Sequence, residues 1–122
     1  MNWLAIFIGG GLGSLSRFGI SYLFKSFQWQ KTFPLATVLT NVLACIILAI
    51  TVYLLKDKIN EQPWLYSLIG IGFCGGFSTF STFSLESVQL FQDKLYFYAF
   101  MNIAASVLIC FGLMLFIAKQ QG

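Results

Sequence analysis

The residues of this sequence that could do chemistry are uncharged polar side chains set inside apolar stretches. Thr37 and Asn41 are four residues apart, and Asn102 and Ser106 repeat that spacing near the other end of the chain. Residues four apart lie on the same face of a helix, so each pair predicts a polar line along an apolar helix. Cys110 extends the second line by one more turn. Such groups are more typical of the lining of a pathway through the protein than of a reaction centre.

A short run in the third apolar stretch, Ser78 to Ser84, combines five hydroxyl groups with the phenyl rings of Phe80 and Phe83. Hydroxyl and amide groups donate hydrogen bonds, and the edge of an aromatic ring carries partial positive charge. Together with Asn41, the run therefore favours a small anion over a cation, which would require carboxylates. A narrow track of neutral donors can replace the water around an anion and still release it.

No catalytic set accompanies these hydroxyls. The sequence has no His, so it offers neither a triad nor an imidazole metal site. Of its four acidic residues only Glu86 falls in an apolar stretch, and the hydroxyls have no imidazole or amine beside them to activate a nucleophile. We therefore predict that the protein is not an enzyme.

The cysteine and basic residues argue against two further kinds of site. Cys45, Cys74 and Cys110 stand in three different apolar stretches without C-x-x-C spacing, so neither a zinc site nor a disulfide framework is indicated. The seven Lys and Arg residues are scattered singly, whereas a surface for nucleic acid would need them in a stripe along the phosphate backbone. We expect no nucleic-acid partner.

The composition places the polar residues in a membrane. Of the 122 residues, 58% are hydrophobic and 9% are charged, and the mean hydropathy is +0.83. The charges fall at five places along the chain and leave stretches long enough for the roughly 20 residues that cross a bilayer. We predict an all-α membrane protein of the cell (inner) membrane, with one domain over residues 1–122. Its four predicted transmembrane helices cover about residues 3–24, 35–55, 63–91 and 95–118.

The third span contains a stretch whose residues do not favour a straight helix. Gly70, Gly72, Gly75 and Gly76 stand directly before the Ser/Thr/Phe run. They predict that the third helix is broken near mid-membrane, which is tolerated only where the break is buried in protein or faces water. Free carbonyls at such a break suit a hard cation such as Na⁺, especially where two breaks meet at a two-fold axis.

The four spans are too few to form a solute pathway alone. Helices of this length cannot surround a pathway and still pack against one another, so we expect the functional unit to contain more than one chain. Gly9 and Gly13 form one G-x-x-x-G motif, and Gly72 and Gly76 form a second. Such motifs let helix backbones approach closely in lipid, so we predict that both are helix-packing surfaces.

The Lys residues show no bias between the two sides of the membrane. Three fall on each side: Lys56, Lys58 and Lys119 on the side of the termini, and Lys25, Lys31 and Lys94 in the first and third loops. Orientation normally follows an excess of Lys and Arg in cytoplasmic loops. We therefore predict that copies insert both ways up and pair as an antiparallel, dual-topology homodimer. The alternative, a single orientation set by the α-amino group or by a partner, stays open.

One long motif resembles that of a known family. It runs from Gly72 to Glu86 as Gly-Phe-Cys-Gly-Gly-Phe-Ser-Thr-Phe-Ser-Thr-Phe-Ser-Leu-Glu, and it is similar to the signature of the Fluc (CrcB) fluoride channels, close to GxCGGxTTFSTFSxE. The Gly-Gly-Gly-x-Gly-x-x-x-Arg-Phe of Gly9 to Phe18 also resembles that family, and the likeness covers all four spans. The resemblance implies a dual-topology homodimer with two antiparallel pores, which export fluoride passively. It also implies a structural Na⁺ at the dimer centre.

The resemblance also implies individual roles by position in the motif. The residues that would face fluoride or its path are Asn41, Phe80, Phe83, Ser81, Thr82, Thr37, Ser106 and Arg17. The main-chain carbonyls of Gly75 and Ser78 would bind the Na⁺. For Arg17, an alternative role in snorkelling or in pairing with a helix C-terminus stays open. Cys110 stands where we would expect a hydroxyl, and a thiol is a weaker donor.

Two other functions stay open beside the fluoride channel. A small multidrug exporter is also a four-span, dual-topology dimer, but it exchanges cationic drugs for protons. That exchange needs a membrane-embedded carboxylate, which the first span lacks. A non-transporting membrane assembly subunit would use the polar lines only as helix contacts. For the channel, the expected partners are the fluoride ion, a second copy of the chain and the lipid bilayer.

Overall fold

The computed structural model describes residues 2–28 and 33–121, and the regular secondary structure of these residues is entirely helical. Four segments are long and apolar enough to cross a membrane: Asn2–Ser26, Leu35–Leu54, Tyr66–Gln92 and Tyr96–Gln120. The predicted all-α architecture with four helices of membrane-crossing length is confirmed. Lys31, one of the loop residues in the orientation argument, lies outside the described residues.

The first two spans are long helices. Helix α1 covers Asn2–Ser26, and helix α2 covers Leu35–Ala49 and continues as a π-helical segment, π1, over Ile50–Leu54. Pro34 directly precedes α2, where a missing N–H removes no intrahelical hydrogen bond. A short charged helix, α3 (Lys56–Glu61), lies in the connection to the third span.

The third span changes helix type and is then interrupted. It begins as a π-helical segment, π2 (Tyr66–Phe73), passes into α4 (Cys74–Phe77) and resumes as α5 (Phe80–Gln92). Ser78, with φ −85° and ψ 161°, and Thr79, with φ −155° and ψ 122°, are extended between the two halves. The interruption therefore follows the glycine cluster, whose members are themselves helical.

The fourth span follows a tight turn. Lys94 has a φ of 63°, and its N–H donates to the carbonyl of Phe91 at 3.1 Å, while the N–H of Leu95 donates to the carbonyl of Leu90 at 2.9 Å. These bonds satisfy carbonyls at the C-terminal end of α5. The chain then reverses into helix α6 (Tyr96–Gln121), which packs beside α5 and α2.

Helix α1 packs against π2 and α4 through the two G-x-x-x-G motifs. A Cβ atom on Gly9 would overlap the carbonyl oxygen of Leu68, and one on Gly76 would overlap the carbonyl oxygen of Gly10. A Cβ atom on Gly72 would lie 3.0 Å from the Cα atom of Gly9. Both motifs are therefore helix-packing surfaces, as predicted, and this contact lies within one chain.

Small and polar side chains hold the second, third and fourth spans together. Ala44 of α2 and Ala99 of α6 are buried, and Asn102 of α6 is fully buried. The Nδ2 of Asn102 donates to the hydroxyl of Ser87 on α5 at 2.9 Å. Large apolar side chains on the outer faces are exposed, among them Trp3. Such a surface is suited to lipid or to a second chain.

Candidate functional site

One cavity opens where the interrupted third span meets the second and fourth spans. Its volume is about 290 Å³, and it is widely open to the surface of the single chain. It is lined by Asn41, Cys45, Ser78, Thr79, Phe80, Phe83, Ser106, Val107, Cys110 and Phe111. None of these lining side chains carries a charge. Amides, hydroxyls, thiols and phenyl rings therefore decide what the cavity can bind.

Four of the residues predicted to face an ion meet at this cavity. Asn41 comes from α2, Phe80 and Phe83 come from α5, and Ser106 comes from α6. Ser78, which was predicted to bind Na⁺ through its carbonyl, lies on the same wall. These residues are far apart in the sequence, so helix packing brings them together.

Asn41 holds the interrupted main chain through two hydrogen bonds. The N–H of Thr79 donates to Oδ1 of Asn41 at 2.9 Å, and Nδ2 of Asn41 donates to the carbonyl of Thr79 at 3.4 Å. In a continuous α-helix the Thr79 N–H would donate to the carbonyl of Gly75. The carboxamide thus replaces a helical partner that the interruption removes. Since Nδ2 carries two hydrogens, Asn41 has a second donor to offer a ligand.

Thr79 begins the second half of the third span. Its Oγ1 accepts a hydrogen bond from the N–H of Thr82 at 3.1 Å, which makes it the N-cap of α5. The hydroxyl oxygen of Ser81 lies 3.3 Å from the same Oγ1. Ser81 and Thr82 therefore lie in the first turn of α5, and neither belongs to the cavity lining.

Phe80 and Phe83 form an aromatic wall. Their ring centroids are 5.9 Å apart, and the ring planes are inclined by 44°. Residues three apart share a face of a helix, and α5 begins at Phe80, so both rings lie beside the interruption. Phe80 is 79% exposed in the single chain. Most of its ring is free to contact a ligand, lipid or a second chain.

Helix α6 adds a polar wall with unused hydrogen-bonding capacity. Ser106 is buried, and its Oγ has no hydrogen-bond partner among the described residues. One turn earlier, the Oδ1 of Asn102 also lacks a partner there, although its Nδ2 bonds Ser87. The polar line predicted along α6 therefore runs from Cys110 at the cavity into the interior.

Two further predicted residues, Arg17 and Thr37, lie outside the cavity lining. The Nε of Arg17 donates to the carbonyl of Gly76 at 3.0 Å, near the C-terminal end of α4, where a positive charge is favourable. This contact corresponds to the alternative role in pairing with a helix C-terminus. Thr37 is buried and interacts with the carboxyl group of Glu86. One oxygen of that carboxyl, Oε1, is buried and has no hydrogen-bond partner among the described residues.

The two carbonyls predicted to bind Na⁺ both lose their α-helical donors at the interruption. In a continuous helix the carbonyl of Gly75 would accept from the N–H of Thr79. The carbonyl of Ser78 would likewise accept from the N–H of Thr82. Those two N–H groups donate instead to Oδ1 of Asn41 and to Oγ1 of Thr79. The interruption thus releases main-chain oxygens, the ligand type that hard cations prefer.

One polar lining residue, Cys45, was absent from the candidates drawn from the sequence, and Thr79 entered them only as a member of the hydroxyl run from Ser78 to Ser84. Cys45 follows Asn41 by four residues, so the same spacing that paired Thr37 with Asn41 could have found it. Thr79 stands directly before a helix, where an N-cap hydroxyl is common. Val107 and Phe111 carry no comparable signal, because the sequence does not distinguish a lining residue from its apolar neighbours in an apolar helix.

The fold and the cavity define an integral membrane protein with an uncharged, hydrogen-bonding lining. The family model described as CrcB-like protein, Camphor Resistance (CrcB), matches residues 4–118, and the chain belongs to this family. The resemblance drawn from the sequence motif is therefore confirmed.

Several similar proteins carry the name fluoride-specific ion channel FluC. The protein of Pyrococcus abyssi is 43% identical over 106 residues, which cover 87% of this chain and 84% of the relative. The protein of Thermococcus onnurineus is 42% identical over 110 residues, covering 90% and 87%. The protein of Coxiella burnetii is 38% identical over 112 residues, covering 90% and 89%. The likeness therefore extends over nearly the whole length of each protein.

Proposed function

We propose that this chain is a fluoride-specific ion channel of the cell (inner) membrane, through which fluoride leaves down its gradient. The observation that carries the proposal is the uncharged cavity at which the four predicted ion-facing residues meet. The shared name of the relatives supports fluoride as the ion. Since those relatives are named as channels, the chain is a channel protein and not an enzyme.

The lining suits a small, strongly hydrated anion. Such an ion must have its water replaced by several donors at once, and those donors must be neutral so that it can leave again. Asn41 offers an amide N–H, Ser106 offers a hydroxyl, and the two phenyl rings offer positively polarised edges. Passage down a gradient requires no nucleotide site and no proton-coupling residue.

The predicted residues outside the lining extend this pathway. The hydroxyls of Ser81 and Thr82 continue the donor track along the first turn of α5, and Thr37 continues it beside Glu86. The guanidinium of Arg17 retains further N–H donors besides the Nε that bonds Gly76, and its charge raises the local anion concentration.

Flux through liposomes tests this function against its two alternatives. The purified protein is reconstituted, the vesicles are loaded with fluoride or chloride, and release is followed with ion-selective electrodes in the absence of a proton gradient. Fluoride release with little chloride release is expected. Proton-coupled uptake of a cationic drug would replace the channel with an exporter. The absence of any flux would favour an assembly subunit.

Two chains inserted in opposite orientations form the functional unit in this proposal. The equal Lys count on the two sides, the exposed ring of Phe80 and the open side of the cavity all support it. A protease-cleavable C-terminal tag should be cut from both faces of the membrane. Lys58→Gln and Lys94→Gln remove one charge from opposite sides and should bias the orientation in opposite senses. Cleavage from one face only would contradict dual topology.

A structural Na⁺ at the centre of this dimer is held by the carbonyls of Gly75 and Ser78. The support is that both oxygens lose their helical donors and that Gly75 is exposed in the single chain. The dimer in detergent should therefore melt at a higher temperature in Na⁺ than in an equal concentration of N-methyl-D-glucamine. Ser78→Ala removes only a hydroxyl and should keep this difference. Equal melting temperatures in the two salts would remove the Na⁺ from the proposal.

A further inference from the structure

Two thiols line the same cavity. Cys45 comes from α2 and Cys110 from α6, and both line the cavity. Each thiol lies within the electrostatic influence of the other, and both residues are half-buried and free of disulfide bonds. The sequence indicated neither a zinc site nor a disulfide framework, because the three cysteines stand in different apolar stretches without C-x-x-C spacing. Helix packing nevertheless brings Cys45 and Cys110 together in one cavity lining.

The third cysteine, Cys74, lies near Cys45 but outside the cavity lining. Cys74 is buried, it does not line the cavity, and its Sγ donates to the carbonyl of Ala44 at 3.6 Å. It therefore provides a control thiol that is close to Cys45 but does not line the cavity.

The chemistry of such a pair is selective. A thiol that loses its proton is a soft ligand, and soft cations with a filled d shell bind two thiolates in preference to hydroxyl or amide oxygens. With mercuric chloride the two S–H bonds break and two Hg–S bonds form, releasing two protons and two chloride ions. No electron is transferred. The bis-thiolate product of Hg²⁺ is neutral, so it adds no net charge to a lining that contains no charged side chain. With Cu⁺ or Ag⁺ the same two thiolates leave one negative charge.

We propose that Cys45 and Cys110 form a two-thiolate binding site for a soft cation of the Cu⁺, Ag⁺ and Hg²⁺ class, and that an occupied site closes the cavity to an anion. The cavity of about 290 Å³ contains both thiols and the residues of the proposed fluoride path, so a metal bridge there obstructs that path. The blocking effect rests on the proposed channel function, whereas the metal site does not.

Binding is measured first, on the reduced protein in detergent. One equivalent of mercuric chloride per chain is added, and the remaining thiols are counted with a maleimide dye. In the wild type and in Cys74→Ala both thiols of the pair should be consumed together. In Cys45→Ala and in Cys110→Ala only one thiol should be lost. Loss of a single thiol in the wild type, or loss of Cys74 ahead of the pair, would overturn the site.

Block is measured next, as fluoride release from liposomes treated with mercuric chloride and then washed with a monothiol. The wild type and Cys74→Ala should stay blocked, because two thiolates on one chain hold the metal at a high effective concentration. Each single variant of the pair should need at least about tenfold more metal for the same block. Equal block in all four proteins would overturn the assignment to Cys45 and Cys110.

The two measurements separate the two proposals. If the dye assay finds the paired thiols but no untreated protein releases fluoride, the metal site stands and the channel function fails. If untreated protein releases fluoride and the metal binds the pair without reducing release, the closing of the path is overturned.

Discussion

The carboxamide of Asn41 and the peptide unit of Thr79 form a reciprocal pair of hydrogen bonds, at 2.9 Å and 3.4 Å, between the second span and the interruption of the third. The same side chain that lines the cavity thus also satisfies the main chain at the point where the helix is broken. A buried unpaired peptide group is costly, so this pair stabilises the interruption and fixes the position of the amide. Structure and proposed conduction depend on one residue.

Asn41→Asp should abolish most of the fluoride flux. The aspartate keeps an acceptor for the Thr79 N–H, but it places a negative charge in the path. Two like charges 4 Å apart repel by about 4 kcal/mol at an effective dielectric constant of 20, which corresponds to a flux lower by two to three orders of magnitude. Fluoride release from liposomes measures this loss of flux. The control Asn60→Asp, on the exposed face of α3, should conduct normally. Wild-type flux in Asn41→Asp would remove Asn41 from the pathway.

Phe80→Ile should abolish fluoride flux and leave the oligomeric state unchanged. Isoleucine keeps an apolar side chain but removes one of the two polarised ring edges, and the ring of Phe83 alone does not replace the contact that Phe80 makes. Release assays and size-exclusion chromatography measure the two properties. Phe100→Ile is the matched control, since Phe100 is 68% exposed on α6 and does not line the cavity. If Phe80→Ile conducts as well as Phe100→Ile, the ring is a packing group.

Thr79→Val should destabilise the protein by about 1 kcal/mol, the usual cost of losing an N-cap hydroxyl. Valine keeps the shape and both main-chain bonds to Asn41, but Thr82 loses its acceptor. The apparent melting temperature in detergent measures the effect. Thr79→Ser retains the hydroxyl and should melt near the wild type. A melting temperature for Thr79→Val equal to that of Thr79→Ser would show that the cap contributes nothing.

Gly9→Ala and Gly11→Ala should change stability in opposite directions. A methyl group on Gly9 meets the main chain of Leu68 and Phe73, and overpacking of this kind costs about 1–3 kcal/mol. At Gly11 nothing lies within 4 Å, so alanine should stabilise the helix by roughly 0.5–1 kcal/mol. Melting temperatures in detergent compare the two variants. Stabilisation by Gly9→Ala would contradict the close contact between α1 and the third span.

The four spans could be predicted because hydropathy and charge are properties of single residues summed along the chain. The second span, Leu35–Leu54, reaches a mean hydropathy of 2.4 and has no charge. The place of the interruption was harder to predict. Glycines have low helix propensity, yet those of π2 and α4 remain helical. Helix α1 packs closely against two of them, Gly72 and Gly76, and the helix ends afterwards at Ser78.

The candidate site was predictable in its side chains and only partly in its arrangement. Asn41 and Ser106 stood out because polar groups are costly in apolar helices. Phe80 and Phe83 stood out through the motif that contains them. Cys45 was missed because a single cysteine in an apolar stretch normally reads as a small core residue.

The sequence by itself determined the helical spans, the family motif and the polar lines on individual helices, because each depends on residues close together in the chain. Only the tertiary structure decided which of those lines meet. Asn41 and Thr79 are 38 positions apart, and whether a carboxamide reaches a broken helix or a lipid depends on how two helices pack. The types and spacing of neighbouring side chains can be read from the sequence, whereas hydrogen bonds between different helices depend on distances that only packing sets.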